Sequence, residues 1–76
     1  MKKEYYKMFN KRIDHLKDFG DKLTREEVAD LVNDIIIYRG EFMLDDPGFR
    51  LLIERLYTEH YITKIERVEI YAGIQV

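Results

Sequence analysis

The sequence predicts a mostly α-helical domain closed by a C-terminal β-strand, an α+β arrangement in which three short helices form one compact body. Three observations carry that expectation. Apolar residues recur at helical spacing through three stretches. Helix punctuation falls between those stretches. The final residues, from Glu66 onward, switch to strict alternation.

The first stretch covers residues 3–19. Tyr6, Phe9, Ile13 and Leu16 stand at i, i+3, i+7 and i+10, which is one helical face, and Tyr5 and Met8 widen it. Gly20 follows, at a position where a left-handed glycine commonly stops a helix. The second helix opens at Thr24-Arg25-Glu26-Glu27, which has the pattern of a capping box, with Leu23 placed to staple onto Val28. Val28, Leu31, Val32, Ile35 and Ile36 continue the period to about Tyr38. Arg39 suits the negative helix end, and Gly40 is the expected stop. Ile35-Ile36-Ile37-Tyr38 is β-branched and aromatic, a local preference for strand that competes with the helical period. Phe42, Met43 and Leu44 are too apolar for a free connector and are expected against the core. Asp46 and Pro47 suit the N-cap and N1 positions of a third helix, whose stripe is Phe49, Leu52, Ile53, Leu56, Tyr57 and His60, ending near Tyr61.

In the last stretch Val68, Ile70, Ala72, Ile74 and Val76 alternate with Arg67, Glu69, Tyr71 and Gln75, the pattern of a single half-buried strand. A lone strand leaves a row of backbone donors and acceptors unpaired. Its partner must be residues 35–44, partly extended, or a strand of another chain. The good period of the second helix favours another chain, which makes a homodimer through antiparallel tails, or strand addition onto a different protein.

Length and composition narrow the function. The 76 residues allow one domain and a small core. Cysteine is absent, so no disulfide or thiolate zinc site forms, and a cytoplasmic location is expected. No apolar run is long enough for a membrane span. Serine is also absent, and Thr24, Thr58 and Thr63 are the remaining hydroxyl nucleophiles besides tyrosine. His15 and His60 lack the i, i+4 spacing of a helical zinc pair. The carboxylates follow no calcium-loop pattern, and no two glycines lie close enough for a phosphate cradle. No catalytic residue, cofactor, metal or small-molecule substrate is therefore expected. The composition, rich in Lys, Ile and Tyr and free of Trp, is of the kind AT-rich bacterial and phage genomes encode.

The net charge of −2 is unevenly spread. Residues 1–17 carry six basic and two acidic side chains, and the remainder carries seven basic and thirteen acidic ones. Two candidate interaction surfaces follow. One is the basic aromatic face of the first helix, with Lys3, Tyr5, Lys7, Lys11 and Arg12. The other is the tail, with Arg67, Glu69, Ile70 and Tyr71. Leu23 to Val32 resembles the first helix of a helix-turn-helix. The next helix starts only at Pro47, however, and its outward residues Arg50, Glu54, Arg55 and Glu59 are mixed in sign. The expected function is a small non-enzymatic module or regulator that acts by protein–protein contact, on itself or on a larger host protein. The alternative is a nucleic-acid-associated regulator using the first helix.

Overall fold

The computed structural model describes residues 2–41 and 46–73. Four helices account for most of them: α1, Lys2–His15; α2, Asp21–Glu41; α3, Asp46–Thr58; and α4, Lys64–Gly73. A short 3-10 turn, Leu16–Asp18, joins α1 to the chain leading into α2. No strand occurs among the described residues.

The first three helices build the core much as their spacing requires. Phe9 and Ile13 of α1, with Leu16 just beyond it, are buried against Val28, Leu31 and Ile35 of α2 and against Phe49, Leu52, Ile53 and Leu56 of α3. Full burial of such a side chain contributes roughly 1.5–3 kcal/mol. α1 and α2 run antiparallel. Tyr38 meets Tyr5 and Phe9 edge-on at 4.9 and 5.1 Å, while Arg12 pairs with Asp34 at 2.8 Å farther along. The isoleucine run of α2 is helical, because Ile35 has no exposure and Tyr38 is held by two aromatic rings. Packing outweighs the few tenths of a kcal/mol by which β-branched residues disfavour helix.

The helix ends differ from expectation in instructive ways. Gly20 is not left-handed, and it does not stop α1 by that route. Phe19 is extended there, and its N–H donates to Leu16 O at 3.2 Å. Gly20 instead starts α2, since its carbonyl accepts the Thr24 N–H at 2.8 Å. Thr24 is thus inside the first turn and builds no capping box. Its one hydroxyl proton is shared between Phe19 O at 3.2 Å and Leu16 O at 3.4 Å. α2 also passes through Gly40 to Glu41. Phe42, Met43 and Leu44, expected against the core, lie outside the described residues.

α3 ends in a Schellman motif. The His60 N–H donates to Tyr57 O at 3.0 Å, and the Tyr61 N–H donates to Leu56 O at 2.9 Å. His60 takes the left-handed position with φ of 66°, where glycine is the usual residue. The chain then reverses, Ile62 drops into the core, and α4 begins.

The expected C-terminal strand is corrected by α4. Residues 64–73 are helical, and Ile74 and Val76 lie outside the described residues. A capping box opens the helix: the Thr63 hydroxyl accepts the Glu66 N–H at 3.1 Å, and the Glu66 carboxylate accepts the Thr63 N–H at 2.9 Å. A strand here has no partner within the described chain, because residues 35–41 belong to α2. A helix satisfies its own backbone. The face Val68, Ile70 and Ala72 therefore does not exist as a unit: Ile70 is half-buried, while Val68 and Ala72 are exposed. α4 runs antiparallel to α3, with Tyr71 near Phe49 and Arg67 near Tyr57, and makes no direct helix packing with α2.

Two predictions come from these helix ends. Thr63→Ala should cost about 0.5–2 kcal/mol in urea denaturation, whereas Thr24→Ala should cost less than about 0.5 kcal/mol. His60→Gly should raise stability by about 0.5–1 kcal/mol, since it relieves the left-handed backbone at the end of α3.

Candidate functional site

Three surfaces bear on function: the outer face of α1, the seam between α3 and α4, and a groove between α2 and α4.

On α1 the expected basic aromatic face is divided. Tyr5 is half-buried and meets Tyr38 edge-on. Arg12 is tied to Asp34 and lies 5.9 Å from the Phe9 ring centre. Lys7 and Lys11 remain exposed, and the Lys3 side chain lies outside the described set. On the flank toward α3, Arg55 gathers α1 to itself. It donates to Asn10 Oδ1 at 2.8 Å and to the Asn10 carbonyl at 3.1 Å, and it pairs with Asp14 and with Glu59. The Arg55 hydrogen bond holds the Asp14 carboxyl below its ordinary range.

The seam takes two of the expected tail residues. Glu54 Oε2 accepts from Arg67 Nε and from the Tyr71 hydroxyl, both at 2.6 Å. The Arg67 guanidinium lies over the Tyr57 ring at 4.9 Å, and Arg50 lies over the Tyr71 ring at 5.2 Å. The Arg67 and Tyr71 hydrogen bonds lower the Glu54 carboxyl below its usual 4.5. Burial, followed by the bond to Glu54, pushes the Tyr71 phenol up to about 12. Arg67 and Tyr71 thus hold α4 onto α3 and are engaged rather than offered to a partner.

The groove takes the other two. It is open, about 740 Å³ in volume, and runs between α2 and α4 over the loop that joins α3 to α4. Val28, Val32, Ile36, Ile62 and Ile70 give it an apolar floor. Arg25 and Ala29 stand on the α2 side, Glu66 and Glu69 stand on the α4 side, and His60, Tyr61 and Thr63 close one end. Ile70 and Glu69 were candidates from sequence. Arg25, Ala29, Val32, Ile36, His60 and Glu66 were not. Their signal was present in α2, whose apolar positions form two adjacent stripes, Val28-Leu31-Ile35 and Ala29-Val32-Ile36. That face is wider than one packing contact needs.

Among the described residues, no three His, Asp or Glu side chains gather closely enough to hold a metal ion, and no helix is long and apolar enough to cross a membrane. No family model, no curated protein and no solved structure matches the chain.

The seam has a pH signature. A carboxyl held below its ordinary value stabilises the fold above that ordinary value, and the contribution is lost as pH falls through the lowered one. The parent protein should lose stability between about pH 5 and pH 3 partly through Glu54. Glu54→Gln, compared by urea denaturation at both pH values, should be less stable at the upper pH and show a smaller loss on acidification.

Proposed function

We propose that the protein is a small non-enzymatic module that works by protein–protein contact, with the α2/α4 groove as its docking surface. The observation that carries this reading is the second apolar stripe of α2. Val28, Leu31 and Ile35 are buried in the core, yet Val28 also lines, with Ala29, Val32 and Ile36, an open groove whose far wall is a separate helix. An apolar groove between two helices is a recurrent receptor for a partner segment. The groove's aliphatic lining, Val28, Val32, Ile36, Ile62 and Ile70, suits docking by shape and apolar contact.

Nucleic-acid association through α1 has less support. Lys7 and Lys11 are exposed, but Arg12 is committed to Asp34 and Tyr5 to Tyr38. Phosphate binding strengthens with each free cation presented, and this face presents few among the described residues. Dimerisation through a tail strand is set aside, since residues 64–73 form α4.

A photo-crosslinking residue at Ala29, in the groove wall, and another at Lys11, on the α1 face, separate the two readings in the cell that makes the protein. The Ala29 probe should join the chain to a polypeptide, and the Lys11 probe should give no adduct. Adducts to nucleic acid from Lys11, with Ala29 silent, would reverse the assignment.

A further inference from the structure

We infer that the groove receives a basic amphipathic helix of about three turns from a partner protein. The inference rests on the docking reading above and adds the chemistry of the occupant.

Length comes first. The α2 wall extends from Arg25 to Ile36, about 16 Å at the helical rise, and α4 is a ten-residue helix of about 15 Å. That length matches about three turns of a seated helix. The floor then sets the pattern. Val28, Val32 and Ile36 recur at i, i+4 and i+8 along α2, with Ile70 across from them. An occupant meets such a floor with apolar anchors at i, i+3 or i+4, and i+7. An extended segment is a poorer match, because strand addition needs an open sheet edge and the described elements are all helical.

Charge selects the flank. Glu66 and Glu69 stand at i, i+3 on the α4 wall, and both are exposed. Glu66 is occupied with the Thr63 N–H through one oxygen, while Glu69 makes no ion pair among the described residues. A partner with Lys or Arg beside its apolar stripe, on the side facing α4, complements this wall. Arg25 lies across the groove at the end near His60, so the basic flank belongs on the α4 side only.

A second copy of this chain fits poorly. α1 is basic, but its apolar face is already spent on the core through Phe9 and Ile13. The one free apolar stripe of α4, Ile65 at 70% exposure, Val68 at 56% and Ala72, has Glu69 beside it, which would meet like charge in the groove.

The test uses the full chain and two synthetic alanine-based peptides of about fourteen residues, long enough to be partly helical. Both carry leucines at i, i+3 and i+7. One has lysines along a single flank, and its sibling has glutamates there. Methyl NMR of Val28, Val32, Ile36 and Ile70 reports binding, with Ile13 as a core control. The lysine peptide should move the groove methyls and bind about fivefold tighter than its sibling at low salt, a gap that added salt narrows. Glu69→Lys should reverse the order. Equal or tighter binding of the glutamate peptide overturns the basic class while the groove remains a docking surface. Silence from both peptides overturns the docking surface itself. Methyl shifts that follow the protein's own concentration without peptide would make the occupant a second copy and also overturn the inference.

Discussion

Every other element is placed by one helix. Phe49, Leu52, Ile53 and Leu56 of α3 have no exposure at all. Their stripe is the wall on which α1 and α2 close. Beside that stripe, Arg55 reaches α1 through Asn10 and Asp14, and Glu54 reaches α4 through Arg67 and Tyr71. Three neighbours thus divide the faces of a thirteen-residue helix. In a chain of 76 residues such sharing is a necessity, because there is too little apolar surface for two independent cores. Truncation in the α3 stripe is therefore expensive, of the order of 2–5 kcal/mol per large side chain, against a total stability near 5–15 kcal/mol.

The groove is a consequence of that sharing. α4 is held to α3 by one carboxylate that accepts two hydrogen bonds, by cation–π contacts from Arg67 and Arg50, and by an edge-on ring pair between Phe49 and Tyr71. None of these contacts reaches α2. The Schellman turn at His60 sets the angle at which the chain leaves α3, and the Thr63–Glu66 capping box starts α4 three residues later. The same two devices that end one helix and begin the next leave α2 and α4 as facing walls. Glu66 serves both sides of this arrangement, since it caps α4 and stands at the groove edge.

The three long helices were legible in the sequence because their apolar period is long enough to dominate local preference. Phe9, Ile13, Leu16, Val28, Leu31, Ile35, Phe49, Leu52, Ile53 and Leu56 all lie where the period puts them. The tail reads as a strand and folds as a helix because alternation over a short segment satisfies the first and does not exclude the second. The distinguishing signal was Thr63-Lys64-Ile65-Glu66, a capping box of the kind sought at Thr24 but realised here instead. At Thr24 the preceding Gly20 and Asp21 had already begun the helix. The groove was only half legible. Glu69 and Ile70 stood out in the tail, and the doubled stripe of α2 was visible, but which stripe faces the core depends on where α3 and α4 lie. Arg67 and Tyr71 count as partner-facing only if the tail is a strand that pairs with another chain. As parts of α4 they turn toward α3.

The groove depends on residues 64–73 being a helix held to α3, and backbone NMR of the full chain tests that claim most directly. The account predicts positive Cα secondary shifts across residues 64–73 and sequential amide contacts along them, with side-chain contacts from Tyr71 to Phe49 and from Arg67 to Tyr57. Negative secondary shifts over these residues, with cross-strand contacts to another segment or another chain, would contradict it.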